Sequence, residues 1–180
     1  MAKRSHIEGG GHNDHETPYS GVVPLVPHLH GVRRFAEPCA GAGKLVRHLE
    51  RHGLRCVYQG DIKNGRDAMA EPLERYPLDA IITNPPWERA LLHPMILRFQ
   101  EIAPTWLLFE ADWAFTRQAN AFMDHCSHIV AVGRLRWVPG TKHTAMDSCA
   151  WYRFHAQHVG GPKLIPAQPE KARHVEEEAA

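Results

Sequence analysis

Apolar positions along the chain fall into two alternating rhythms. Compact apolar runs over 33–38, 55–62, 78–83, 105–111, 128–138 and 148–155 predict strands. The run over 78–83 lacks polar alternation and is bounded by Pro77 and Asn84, which predicts a strand buried on both faces. Between the strands, apolar residues recur at helical spacing. Leu45, Val46 and Leu49 predict a helix over 44–52 that Gly53 stops. A second helix is predicted over 91–102, with Pro94 in its first turn, and a third over 114–125; residues 67–75 read as a weak helix or turn. The loop carrying Pro139-Gly140-Thr141-Lys142 is too short for a crossover helix, so the strands it joins should be antiparallel. This alternation predicts an α/β doubly wound sheet, mostly parallel with the last strand antiparallel. Residues 1–16, polar around Gly9-Gly10-Gly11, read as a flexible N-terminal arm. Residues 17–158 read as one domain and 159–180 as a C-terminal tail, with no separate target-recognition domain.

Composition narrows the picture modestly. A chain of 180 residues can bury one core, and a net charge of +1 excludes a generally basic nucleic-acid coat. No apolar run suits a membrane span or a signal peptide, so a cytoplasmic protein is expected. Cys39, Cys56, Cys126 and Cys149 are scattered without a CxxC pair, and no carboxylate or cysteine completes a ligand set among the 14 histidines. Neither a disulfide framework nor a metal site is expected.

In an open α/β sheet, ligands lie outside the carboxyl ends of the strands, so the strand-end loops carry the chemistry. The first is Glu37-Pro38-Cys39-Ala40-Gly41-Ala42-Gly43. Gly41 and Gly43 allow a sharp turn and close backbone approach, but a GxG alone fits NAD, other nucleotides or a bare tight turn. The phosphate-loop pattern fails because Lys44 is followed by Leu45, and the dinucleotide fingerprint fails at Val46. Glu37 before the glycines suits an ammonium group better than a pyrophosphate. Asp61-Ile62 ends the next strand, about 20 residues on, where an acid can hold ribose hydroxyls; a surface aspartate is the plainer alternative. Asp67-Ala68 follows and could border an adenine ring.

A later strand ends in Asn84-Pro85-Pro86-Trp87. Two prolines stiffen the loop and leave carbonyls as acceptors. The Asn84 side-chain oxygen adds a further acceptor, and Trp87 offers a flat face for stacking. Together these can grip an NH2 group against an aromatic ring. Hydrogen bonds from both N–H groups to Asn84 and the Pro85 carbonyl would release a lone pair otherwise delocalised into an adenine ring or an amide. A rigid connection with Trp87 in the core is the alternative for a bare proline pair.

Over roughly residues 16–155 the chain resembles the amino-methyltransferase branch of the class I S-adenosylmethionine-dependent methyltransferases, especially the adenine-N6 DNA methyltransferases and their small phage and prophage forms. The resemblance rests on the acid-Pro-x-x-Gly-x-Gly turn and on Asn-Pro-Pro-aromatic. It implies a seven-stranded Rossmann-like sheet with S-adenosyl-L-methionine as cofactor. It also implies cofactor contacts from Glu37, Pro38, Cys39, Ala40, Gly41, Gly43, Asp61, Ile62, Asp67, Ala68 and Asn84. Catalytic roles fall to Asn84, Pro85, Pro86 and Trp87. Thr17-Pro18-Tyr19 resembles the Thr-Pro segment that packs over the methionine end. Glu37 departs from the more usual Asp, and Trp87 from Tyr or Phe. The implied partner is nucleic acid, DNA ahead of RNA, with a homodimer or partner subunit available for target recognition. Trp113, Arg117, Arg134, Arg136, Lys142 and His143 are expected on the active-site side, either contacting phosphate or base or forming a solvated charged rim. Methylation of RNA adenine or of a protein glutamine amide, and a catalytically silent cofactor-binding module, remain alternatives.

Overall fold

The computed structural model describes residues 16–138 and 145–167. The predicted arm up to residue 15, Lys142 and His143 lie outside the described residues.

Seven strands form one sheet: β1 Arg34–Glu37, β2 Arg55–Gln59, β3 Ala80–Thr83, β4 Thr105–Glu110, β5 Cys126–Arg134, β6 Ser148–Phe154 and β7 Lys163–Ile165. Their spatial order is β2-β1-β3-β4-β6-β5-β7. β2, β1, β3 and β4 pair in parallel, whereas β6 runs antiparallel to both β4 and β5. The mostly parallel sheet and the antiparallel pairing of 148–155 therefore match the sequence pattern. The region read as tail adds an edge strand, because β7 pairs in parallel with β5, Ile129 lying opposite Leu164.

Strand residues alternate between two apolar layers. Ala36, Ile81, Leu107, Phe109 and Tyr152 face one layer; Phe35, Ile82, Trp106, Leu108 and Trp151 face the other. The first layer is covered by helix α3, Arg89–Ile102, through Leu92, Met95, Ile96 and Phe99. The second is covered by α2, Lys44–Arg51, through Leu45, Val46 and Leu49, and by the α1 region, Tyr19–Val22, through Val22. Each helix buries one apolar stripe, which is what fixes it to its face of the sheet.

Several predicted boundaries shift. α3 begins at Arg89, so Pro94 falls in the second turn, exposed to solvent. The predicted helix over 114–125 is instead two 3-10 turns, Ala111–Phe115 and Arg117–Ala119, followed by α4, Asn120–Met123. Thr116 is extended there, and its backbone N–H and hydroxyl both bond to the Trp113 carbonyl, a local closure that competes with helix propagation. The strand predicted over 128–138 runs from Cys126 to Arg134; it ends where its partner β6 begins, at the Arg134–Ser148 pair. The weak element over 67–75 is a turn followed by a 3-10 turn at Leu73–Arg75.

No helix among the described residues is long and apolar enough to cross a membrane.

Candidate functional site

From β1 the chain passes to β2 on one side and later to β3 on the other, so strand order reverses at β1. That reversal opens a crevice at the carboxyl ends of β1 and β3. Glu37 closes β1, Thr83 closes β3, and the Thr83 hydroxyl donates to Glu37 Oε1 across the gap. The first loop and the Asn84–Trp87 loop thus leave adjacent strand ends already tied together.

The Glu37 side chain is essentially fully buried, at 1% exposure. Oε1 also accepts from the Cys39 N–H at 3.1 Å, whereas Oε2 is buried with no hydrogen-bond partner. Burial pushes the carboxyl up to about 8; Thr83 and the Cys39 N–H oppose this, and Asp61 and Glu16 add to it. An orphaned, buried carboxylate oxygen is costly unless a ligand donor completes it.

The following loop is built on two left-handed glycines, Gly41 at φ 51° and Gly43 at φ 81°. Its N–H groups are all engaged within the protein. Gly41 N–H donates to Asp61 Oδ2 at 2.8 Å and Ala42 N–H to Glu16 Oε1 at 2.6 Å. Gly43 N–H donates to the Ala40 carbonyl at 2.7 Å and Lys44 N–H to Glu16 Oε2 at 2.9 Å. Ala40 N–H in turn reaches the Gly60 carbonyl at 2.8 Å. Such a loop offers no open donor array to a phosphate. It is lined instead by three acids, Glu16, Glu37 and Asp61, which suits a cation.

Asp61 also accepts from the Lys63 N–H at 2.9 Å, so both of its oxygens shape the loop. Beside it Ile62, the first residue of the 3-10 turn Ile62–Asn64 that follows β2, is a bare apolar side chain at 70% exposure. Asp67 is exposed and accepts from the Met69 N–H at 2.8 Å, and Ala68 is buried in the first apolar layer. Thr17 and Pro18 are buried directly after Glu16, and Tyr19 stacks on His52 of the α2 terminus at 5.8 Å. Pro38 and Ala40 are buried and Cys39 half-buried, with its thiol pushed up by burial.

In the second loop Pro85 is buried, and Asn84, Pro86 and Trp87 are half-buried. The Trp87 indole N–H is shared between Asn84 Oδ1 at 3.2 Å and the Leu108 carbonyl at 3.1 Å. Its ring packs against both apolar layers and meets Trp137 edge-on at 5.9 Å. Trp87 therefore pins the Asn84 carboxamide as well as offering a partial face. Arg89 holds the loop from the other side, donating to the Trp87 carbonyl at 2.9 Å while pairing with Glu110 at the end of β4.

Trp113 requires a correction. Its ring is 0% exposed, lies edge-on to Phe109 at 5.1 Å and Tyr152 at 5.4 Å, and donates to His93 Nε2 at 3.1 Å. It is a core residue that anchors the turn and has no face for a substrate. Two residues on, Phe115 is 89% exposed. Arg117 is exposed on the next turn, and Arg134 and Arg136 are exposed at the carboxyl end of β5, on the same edge of the sheet as the two loops.

Glu16, Arg89, Glu110 and Trp137 were not singled out from sequence. Only Glu16 had a local cue, its place directly before Thr17-Pro18. A cleft lined by Leu78, Gln100, Pro104 and His155 sits at the opposite, amino-terminal edge of the sheet and shares no residue with this site.

No protein-family model and no curated protein matches the chain. Solved structures do. A provisionally assigned class I S-adenosylmethionine-dependent methyltransferase from Listeria monocytogenes matches with a TM-score of 0.55 and 14% identity, over 96% of this chain and 72% of that one. At this identity the likeness concerns the fold, and the seven-stranded mixed sheet described above is the fold it shares. A provisionally assigned RNA methyltransferase from Pyrococcus horikoshii matches with a TM-score of 0.44 and 15% identity, over 87% of this chain and 92% of that one. A release-factor-specific protein-(glutamine-N5) methyltransferase from Alicyclobacillus acidocaldarius matches at 0.40 and 15%, over 83% and 99%. These two likenesses are too loose to argue from.

Proposed function

We propose that this chain is an S-adenosylmethionine-dependent methyltransferase acting on an NH2 nitrogen, with adenine N6 in DNA as the leading target. The observation that carries the reading is Glu37, whose buried, unpartnered Oε2 lies at the β1–β3 crevice beside the loop that bears Asn84-Pro85-Pro86-Trp87. An ammonium group is the natural partner for that oxygen. The engaged N–H groups from Gly41 to Lys44 argue further against a pyrophosphate ligand and for a cationic one. The fold shared with a class I methyltransferase supports the same reading.

In this reading Glu37 would hold the amino group of the methionine end and Asp61 the ribose, and Ile62 would offer an apolar surface to the adenine. Gly41 and Gly43 keep the loop free of side chains. When bound, the cofactor would supply an electrophilic sulfonium methyl group, and the chain's own residues would hold the target nitrogen and let its N–H proton leave to water. Asn84 does the decisive work on the acceptor side. Asn84 Oδ1, held in place by the Trp87 indole N–H, would accept one target N–H, and the Pro85 carbonyl would accept the second. Both hydrogen bonds strengthen as the nitrogen becomes pyramidal, so they act on the transition state rather than on binding. A base in a duplex must first leave the stack. Among the described residues, Arg134 and Arg136 are exposed on this edge and available to meet a nucleic-acid strand, and the exposed Phe115 and Arg117 follow β4.

The test has two stages. Calorimetry should show binding of S-adenosylmethionine by the wild-type chain. Methyl-labelled cofactor should then label a DNA pool above RNA and protein pools; label in RNA or in protein glutamine would move the target, and bound cofactor with no label in any pool would indicate a silent binding module.

A further inference from the structure

Glu16 lies 26 residues before Ala42 and 28 before Lys44, yet its carboxylate spans both backbone N–H groups. One oxygen takes each, and together they cap the start of α2. The fit is close: a Cβ on Gly41 would lie 2.5 Å from Glu16 Oε1. The contact is also anchored, because Thr17 and Pro18 are buried immediately after it and Tyr19 is packed against His48 and His52.

This arrangement has two consequences. The N–H groups that a glycine loop before a helix would otherwise turn toward an anion are consumed. A negative charge is also placed at the loop, near enough to Glu37 to disfavour its ionisation. A ligand entering here meets the Glu16 charge and finds the backbone N–H groups from Gly41 to Lys44 engaged, while the Arg47 guanidinium bonds the Ala42 carbonyl beside them.

We propose that Glu16 is a specificity-determining residue that makes the glycine loop selective for a cationic ligand over an anionic one. The proposal rests on the methyltransferase reading above and deepens it. Glu16 acts through the loop and through its charge, so it is a positioning residue rather than a catalytic one. S-adenosylmethionine carries a sulfonium charge that S-adenosylhomocysteine lacks, and this difference separates an electrostatic role from a plain structural cap. A helix cap supports both ligands equally, whereas a charge favours the sulfonium.

The experiment measures both affinities by calorimetry in the full chain, in wild type, Glu16→Gln and Glu16→Ala. Glu16→Gln should weaken S-adenosylmethionine by about fivefold and S-adenosylhomocysteine clearly less, the scale of one unit charge in a half-exposed site. Glu16→Ala frees both N–H groups, so millimolar inorganic phosphate should stabilise this variant against heat and leave the wild type unchanged. Equal loss for the two ligands in Glu16→Gln would overturn the proposal, as would unchanged affinity for both. A folded Glu16→Ala chain indifferent to phosphate would overturn it too. If Glu16→Ala does not fold, the affinity ratio in Glu16→Gln decides alone. Wild-type chain that binds neither ligand would defeat the methyltransferase reading itself, a result distinct from any of these.

Discussion

Glu37 and Asn84 sit at neighbouring strand ends, and in the proposed reaction they divide the chemistry between them. Glu37 titrates near 8 because burial penalises its charged form, while an unfolded chain would ionise it near the ordinary carboxylate value of 4.5. Between those values the folded state holds a proton that the unfolded state has lost, so this group makes stability fall as pH rises from about 5 to about 8. Glu37→Gln should flatten that slope, which thermal melts across the range would show; an unchanged slope would remove Glu37 as its source. Ammonium binding needs the ionised form, so cofactor affinity should rise by up to tenfold per pH unit as pH climbs toward 8. Asn84 is the complementary case. In the proposed reaction Asn84→Ala removes an interaction realised in the transition state, so turnover should drop by about 100-fold or more while calorimetric cofactor affinity changes little. Little of this pairing could be read locally. The two acidic and Asn-Pro-Pro motifs are visible as strings, but the Thr83–Glu37 bond joins residues 46 apart and depends on β1 lying beside β3.

At the scale of elements, the loops work because something else holds them. Arg89 in the first turn of α3 ties the Trp87 carbonyl to Glu110 at the end of β4. The pair is partly exposed, so its loss should cost only about 1 kcal/mol of stability. Its effect on turnover should be larger, because small displacements of a reacting geometry are expensive, of order tenfold or more. Arg89→Ala measured for melting temperature and for turnover tests this; a fall in stability with no fall in turnover would reduce the pair to a structural tie. Strands such as β3, Ala80–Thr83, are legible because four consecutive buried residues bounded by Pro77 and Asn84 fit little else. The 114–125 segment misleads because Ala119 and Phe122 do face the core, but Trp113 buries itself first and Thr116 closes the turn. β7 is three residues after a Gly-Gly-Pro break, too short for any period to register, and only its pairing with β5 makes it a strand.

For the whole molecule, the near-neutral net charge of +1 means that any nucleic-acid affinity must come from local cations. Arg117, in a 3-10 turn after β4, and Arg136, just after β5, are both exposed. If each meets a phosphate, the double Arg117→Ala, Arg136→Ala variant should bind DNA more weakly and lower the slope of log affinity against log salt by nearly 2. An unchanged slope would return them to a solvated rim. The doubly wound architecture was legible from alternation alone, whereas the N-terminal contribution was not, since Glu16 belongs by composition to a polar arm and by hydrogen bonding to the glycine loop. The central claim is transfer of a methyl group to an NH2 nitrogen held by Asn84. Mass spectrometry of DNA nucleosides after incubation with methyl-labelled cofactor tests it most directly. The expected result is labelled N6-methyladenine with the wild-type chain and none above background with Asn84→Ala; label on a carbon or oxygen atom, or equal label with Asn84→Ala, would contradict it.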